Sequence, residues 1–299
     1  AGVYINLGEV YRALGDTDRA VEYHAMALGI YKRSLGEKHV HTATALMYLG
    51  GAYKSRGSYS EAINAYSEAA AIYRGSLGEG HSYIGTAYTN LGGACEPAGD
   101  YDRALEFYRK ALPIYLRTFG GQHPHTATLY NNLGLVHFKK GEYAPSMENY
   151  RKALNIYGAT LGEAHPYVGI ALTNMGLAAA GLGDNDTAMG NYRKAEAVFE
   201  KNRYRAELIT LKENMASLRL SAGDTDGAAG LYRSAVDLVM KYRLELGRQK
   251  TGFMSRHLLA FTRLAEIEHK RGRLNEAFRI DCMRKGLSVT EGLTLKEAL

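Results

Sequence analysis

The stretch HTATALMYLGGAYKSRGSYSEAINAYSEAAAIYRGSLGEGH, residues 41–81, decides the fold. Its first half places small and apolar residues, Leu46 and Leu49 among them, at the spacing of one face of a helix. Gly57 interrupts this pattern and suits the left-handed residue that often ends a helix. A second helical pattern follows, with Ser60 as a candidate N-cap. The stretch therefore predicts two helices joined by a tight turn.

The same pattern recurs with a 42-residue period over the first five copies, which share a turn glycine at Gly15, Gly57, Gly99, Gly141 and Gly183. A sixth copy follows after a slightly shorter step, at Gly223, and a weaker seventh after a longer step, at Gly272. One hairpin cannot bury its own apolar face, but stacked hairpins share a continuous core. No segment alternates with the period of a strand. We therefore predict an all-α fold, an α-solenoid of about six to seven helical hairpins.

A second set of glycines lies inside the first helix of each copy, where glycine costs about 1 kcal/mol of helix propensity. We interpret them as places where the second helix approaches closely, with the tyrosines of the second helix as the matching large side chains. The set consists of Gly8, Gly50, Gly92, Gly134 and Gly176.

Two motifs carry a family resemblance. The pattern Tyr4-x-x-Leu7-Gly8-x-x-Tyr11-x-x-x-Gly15, followed by Ala20 and Ala27, resembles the tetratricopeptide repeat signature. The 42-residue period, the Leu-Gly-Glu-x-His loops and Asn131-Asn132-Leu133-Gly134 resemble the kinesin-light-chain subclass of that family. The resemblance implies a right-handed superhelix whose first helices line a concave, peptide-binding groove.

The predicted organisation is one repeat array over residues 1–247, followed by a degenerate seventh helical pair and a basic C-terminal helix over residues 248–299. The segment Gly272-Arg273-Leu274-Asn275-Glu276-Ala277-Phe278 is similar to the region that precedes a CHAT caspase-like protease domain. The chain also stops within a helical pattern without a polar capping repeat, so we expect it to be part of a longer protein. The repeat units are expected near residues 1–41, 42–83, 84–125, 126–167, 168–208 and 209–247.

Helical phase places the groove on first-helix positions that face away from the second helix. These positions are small, polar and nearly uncharged, which suits an extended or helical peptide better than a strongly acidic tail; the alternative is a plain solvated face. The predicted groove residues are Thr44, Met47, Gly51, Lys54, Thr86, Thr89, Gly93, Thr128, Asn131, Leu135, Phe138, Thr173 and Leu177.

An asparagine ladder accompanies the groove at Asn6, Asn90, Asn132, Asn174 and Asn214. Its amides could recognise a peptide backbone, or they could hydrogen-bond to the neighbouring repeat. The second interpretation is favoured because these residues immediately precede core positions.

Histidines recur once per copy at His39, His81, His123 and His165. Zinc needs ligands about 2 Å from one ion, whereas successive helix layers lie about 8–10 Å apart, so we interpret the histidines as loop hydrogen-bond partners. Cys282 and His269 resemble a thiol and its base but lack an oxyanion loop. No phosphate-binding loop of Walker type is present either. We predict no metal, no cofactor and no enzymatic activity.

The net charge of +6 falls in residues 241–299, which carry 13 Lys and Arg against 7 Asp and Glu. This basic excess is a solvated helical face or a contact for an acidic surface; without interleaved aromatic residues it is a poor pattern for nucleic acid. No run reaches the ~18 apolar residues of a membrane span. Two distant cysteines favour a reducing, cytoplasmic compartment.

We therefore predict a protein-interaction scaffold that binds a protein or peptide segment in the groove. The alternative is a regulatory, sensor-type array of a larger protein whose CHAT protease domain lies outside this sequence.

Overall fold

The computed structural model of the chain describes residues 1–245 and 257–284. These residues form fourteen helices and contain no strand, so the predicted all-α repeat solenoid is confirmed. The predicted handedness of the superhelix stays a prediction. The helices are α1 (Gly2–Ala13), α2 (Thr17–Leu35), α3 (Val40–Arg56), α4 (Tyr59–Leu77), α5 (Ser82–Cys95), α6 (Tyr101–Phe119), α7 (Pro124–Lys139), α8 (Tyr143–Leu161), α9 (Pro166–Gly181), α10 (Asn185–Asn202), α11 (Arg205–Ser221), α12 (Thr225–Glu245), α13 (Leu258–Lys270) and α14 (Leu274–Arg284).

The chain divides into two compact units, residues 1–160 and residues 161–299, which we call unit 1 and unit 2. Unit 1 holds the hairpins from α1–α2 to α7–α8, and unit 2 holds those from α9–α10 to α13–α14. The predicted end of the array at residue 247, and most of the predicted basic C-terminal helix, lie outside the described residues.

Within each unit the hairpins stack side by side. In unit 1, α2 packs against both α1 and α3, and α4 packs against both α3 and α5. The first helices of successive hairpins also touch, as α1 touches α3 and α3 touches α5. Unit 2 repeats the arrangement, with α10 between α9 and α11 and with α9 in contact with α11. The first helices α1, α3 and α5 therefore form a shared face in unit 1, and α9 and α11 form one in unit 2.

The glycines inside the first helices allow this packing, as predicted. A methyl group added at Gly134 would lie 2.7 Å from the ring of Tyr150, which is 1% exposed. Ser146 fixes the two helices further, since its hydroxyl donates a 2.8 Å hydrogen bond to the carbonyl oxygen of Gly134. The same contact between glycine and ring recurs for Gly50 with Tyr66, Gly92 with Tyr108 and Gly176 with Tyr192.

The first hairpin departs from this rule because His24 replaces the tyrosine. Its ring packs against Gly8, is fully buried and stacks on Tyr48 with centroids 5.6 Å apart. Its Nε2 lies 3.3 Å from Oε1 of Glu9, an ion-pair distance without hydrogen-bond geometry. Burial lowers the pKa of His24, while Glu9 acts in the opposite direction and Arg12 adds to the lowering.

The repeated histidines begin the first helices as N-caps. Nδ1 of His39 accepts a 3.1 Å hydrogen bond from the backbone N–H of His41. His81, His123 and His165 do the same for the residue two positions on, at 3.1 to 3.3 Å. The interpretation as loop hydrogen-bond partners is confirmed.

The N-cap predicted at Ser60 is wrong. Gly57 does adopt the left-handed conformation, with φ 86° and ψ 5°. The chain then turns back so sharply that α4 begins at Tyr59, with Ser58 at the N-cap position and Ser60 inside the helix. Other second helices carry aspartate at this place, as Asp100 shows by accepting from the backbone N–H of Arg103.

A buried carboxylate ties the last described hairpin to its neighbour in unit 2. Glu268 of α13 is fully buried and accepts hydrogen bonds from three arginines. Arg233 of α12 lies at 3.0 Å, Arg271 at 3.1 Å and Arg273 at 3.2 Å. Removing the carboxylate would leave three guanidinium groups crowded together without their shared partner.

Candidate functional site

The first-helix face of unit 1 contains a cavity of about 550 Å³, which we call the unit 1 cavity. Three consecutive hairpins form its walls, since residues of α1, α3 and α5 line it. Its volume lies in the range typical of ligand sites. The structure brings five of the predicted groove residues to this one cavity, namely Thr44, Met47, Gly51, Lys54 and Thr86.

Two tyrosines of α4 that were not among the predicted residues, Tyr66 and Tyr73, line the same cavity. The hydroxyl of Tyr73 lies 3.0 Å from that of Thr44, at hydrogen-bond distance. Tyr66 is buried, but its hydroxyl reaches the cavity beside Gly51, where a Cβ would lie 3.7 Å from it. Burial raises the pKa of Tyr66 to about 12, so its hydroxyl stays protonated at neutral pH. The cavity is therefore more aromatic than expected, and the second helix α4 forms part of its wall.

The unit 1 cavity also carries more charge than expected. Glu9 and Arg12 of α1 line it beside Lys54, and the two α1 side chains pair through hydrogen bonds of 2.9 and 2.6 Å. Burial and the nearby Arg12 lower the pKa of Lys54, while Glu96 opposes them. Lys54 forms no ion pair with the described residues. The missed Glu9 and Arg12 occupy the repeat positions of Gly51 and Lys54, so shifting the predicted groove back by one repeat would have found them.

The remaining predicted residues of unit 1 lie on first helices outside this cavity. The hydroxyls of Thr89 and Thr128 donate to carbonyl oxygens one turn earlier, at 2.8 Å to Gly85 and 3.0 Å to Pro124. Gly93 faces Lys54, whose Nζ would lie 3.6 Å from a Cβ at that position. Asn131, Leu135 and Phe138 are half-buried on α7.

Unit 2 has its own cavity on the first-helix face, with a volume of about 380 Å³, which we call the unit 2 cavity. The predicted residues Thr173 and Asn174 line it, whereas Leu177 is half-buried on the same helix and lies outside it. Glu213, which was not among the predicted residues, also lines this cavity and is 6% exposed. Glu213 holds the place of Thr173 in the sixth copy of the repeat, just as Asn214 holds that of Asn174.

The residues of the asparagine ladder lie in different environments. Asn90 lines the unit 1 cavity and Asn174 lines the unit 2 cavity. Asn6 is exposed, while Asn132 and Asn214 are half-buried. The role of the ladder, in peptide recognition or between repeats, stays a prediction.

The side-chain arrangement also bears on metal and membrane sites. Among residues 1–245 and 257–284, no group of three or more His, Cys, Asp or Glu side chains is placed to hold a metal ion. None of the helices in this part of the chain is long and apolar enough to cross a membrane. Cys95 and Cys282 are both buried free thiols.

Residues 1–75 and 83–159 match the model of the tetratricopeptide repeat family. This chain belongs to the tetratricopeptide repeat family. No curated protein sequence matches it. The predicted link to a CHAT protease domain stays a prediction.

Solved structures share the tetratricopeptide repeat fold of this chain at low sequence identity. BtubC (BKLC) from P. vanneervenii is 19% identical with a TM-score of 0.64, over 74% of this chain and 90% of that one. A putative kinesin light chain with nearly identical TPR-like repeats from Podospora anserina is 20% identical with a TM-score of 0.59, over 67% and 95% of the two chains. The apo form of RapI is 17% identical with a TM-score of 0.69, over 95% and 97%. These likenesses concern the fold.

Proposed function

We propose that this tetratricopeptide repeat chain is a non-catalytic scaffold that binds a peptide or extended protein segment on the first-helix face of unit 1. One observation carries the proposal, the unit 1 cavity, which runs across the first helices of three consecutive hairpins. A segment lying there contacts several repeats at once, so its binding free energy comes from the stacked array.

The chemistry of the cavity suits a polypeptide. The rings of Tyr48 and Tyr83, which line the cavity and are 37% and 47% exposed, offer large, rigid apolar contact area. The Asn90 amide can pair with a peptide group as donor and acceptor. Arg12 and Lys54 supply two cationic groups against the single carboxylate of Glu9. This one-charge excess favours a segment with a carboxylate near Lys54 over a strongly basic segment.

A selection experiment tests the proposal even though the ligand is unidentified. A phage library displaying random peptides is selected on the full chain, and the dissociation constants of enriched peptides are measured for three variants. Thr86→Arg and Gly51→Arg place a long side chain in the cavity; Gly51 is half-buried, and a Cβ there meets only the Tyr66 hydroxyl. Ser67→Arg, at an exposed position on α4 outside the cavity, is the matched control.

We expect both cavity variants to weaken binding at least about tenfold, because a filled cavity excludes the segment, and we expect Ser67→Arg to bind as the original chain does. Equal binding by all four proteins would contradict the proposed site.

A further inference from the structure

Glu213 is a buried carboxylate that faces the unit 2 cavity with one oxygen unsatisfied. Its Oε1 has no hydrogen-bond partner, although the side chain is 6% exposed. Its Oε2 lies 3.6 Å from Nδ1 of His257, too far for a hydrogen bond. A buried carboxylate without full pairing is costly, and such groups in native proteins call for a partner.

The hydroxyl groups around Glu213 also present acceptors to the cavity. Thr173 donates its single hydroxyl proton to the carbonyl of Gly169 at 2.9 Å. Thr210 donates its proton to the carbonyl of Ala206 at 3.2 Å. With those protons committed to the helix backbone, the oxygen lone pairs that remain can only accept hydrogen bonds.

The charged residues that line the cavity also favour a cation. Glu207 of α11 contributes a second carboxylate to the lining, and the side of the cavity formed by α9 and α10 adds no charge. Among the described residues that line the cavity, His257 alone can carry a positive charge. Lys212, next to Glu213 in sequence, does not neutralise it, since its ammonium group lies 2.7 Å from Glu196.

We propose that the unit 2 cavity receives a lysine or arginine side chain of a bound protein segment, with Glu213 as its carboxylate partner. An ammonium group brings three N–H donors and a guanidinium group five, which matches a cavity of acceptors. The inference rests on the proposed function in one respect, that the cation arrives on a protein segment. It concerns a different cavity in the other unit.

The experiment separates the two cavities by using the full chain with Thr86→Arg, in which the unit 1 cavity is filled. Random phage-displayed peptides are selected on this protein, and the enriched peptides are synthesised with a fluorophore. Each is compared with a version in which lysine or arginine is replaced by glutamine. Both versions are titrated by fluorescence anisotropy against the original chain and against variants that carry Glu213→Gln, Thr210→Arg or the control Glu266→Gln. Glu266 is an exposed carboxylate of unit 2 outside the cavity.

We expect the enriched peptides to carry lysine or arginine at a recurring position. Glu213→Gln should weaken their binding about tenfold or more, because a charge-assisted hydrogen bond is lost. The glutamine peptide should bind the original and Glu213→Gln proteins equally, so the two losses are not additive. Thr210→Arg should abolish binding, and Glu266→Gln should leave it unchanged.

Enriched peptides without a basic residue, or equal binding of the basic peptide by the original and Glu213→Gln proteins, would overturn the inference. If Glu213→Gln fails to fold, as thermal melting would show, the glutamine peptide decides: undiminished binding overturns the inference. If selection on the Thr86→Arg chain enriches no peptide while selection on the original chain does, the proposed function would be supported and this inference defeated. Peptides that bind the original and Thr86→Arg chains equally, and that lose binding only with Glu213→Gln, would support this inference and contradict the proposed function.

Discussion

The contact between Gly134 and Tyr150 provides a quantitative test of how the hairpins pack. Gly134→Ala adds a methyl group 2.7 Å from two ring atoms of a tyrosine that is 1% exposed. The exchange gains about 0.5–1 kcal/mol of helix stability, whereas overpacking a core typically costs about 1–3 kcal/mol. The Ser146 hydrogen bond restrains α8 from moving away. The difference between these two effects leaves an expected net loss of up to about 2.5 kcal/mol in the free energy of unfolding, with a midpoint of about 1 kcal/mol.

Urea unfolding followed by circular dichroism measures this loss. Gly75→Ala is the matched control, because Gly75 lies in α4 of the same unit and an added methyl meets nothing within 4 Å. It should stabilise the chain by about 0.5–1 kcal/mol. When Tyr150 is first replaced by leucine, Gly134→Ala should no longer destabilise. The packing account is refuted if Gly134→Ala stabilises the original chain as much as Gly75→Ala does.

Three further outcomes follow from side chains described above. His39→Ala removes an N-cap and should cost about 1 kcal/mol of unfolding free energy in urea titration, whereas His39→Asn, which keeps a capping group, should cost little. Burial lowers the pKa of His24 below its unfolded value of about 6.5, so the unfolded chain binds the proton more readily and stability falls as pH drops below that value. His24→Tyr removes this dependence, and its stability relative to the original chain should rise between pH 7.5 and pH 5.5; a constant difference would count against it. Glu268→Ala should lower the unfolding free energy by about 1.5–3 kcal/mol, because charge-assisted hydrogen bonds are lost while the arginines left behind remain partly exposed. Glu266→Ala, at an exposed pair, should change it by less than about 1 kcal/mol, and equal effects would contradict the role of the buried carboxylate.

Much of the fold was predictable because the same packing contact recurs in successive repeats and leaves the same residue pattern in the sequence each time. Glycine inside a helix is unfavourable alone, so its recurrence at Gly134 and its equivalents indicated a close contact before the ring of Tyr150 was located. The loop histidines were likewise predictable, since a metal site cannot draw ligands from separate layers. Ser60 was misplaced because sequence periodicity does not define how sharply the chain turns after Gly57.

The candidate site was only partly predictable. Helical periodicity predicted the α3 positions that line the unit 1 cavity. However, it considers each first helix separately and does not include side chains that reach the cavity from a second helix. It therefore missed Tyr66, which reaches the cavity from α4 past Gly51. Glu213 was missed for another reason: the step into the sixth copy is shorter than the earlier steps, and the predicted groove ended before it.

The central claim, that a protein segment binds on the first-helix face of unit 1, is tested most directly by methyl NMR. The full chain is labelled at the methionine methyl groups and titrated with a peptide from the selection, and the Met47 signal is assigned through Met47→Leu. Met47 lines the cavity, whereas Met26 is 42% exposed on α2 and does not line it. We expect the Met47 signal to shift or broaden while the Met26 signal stays in place. A peptide that moves Met26 and leaves Met47 unchanged would contradict the account.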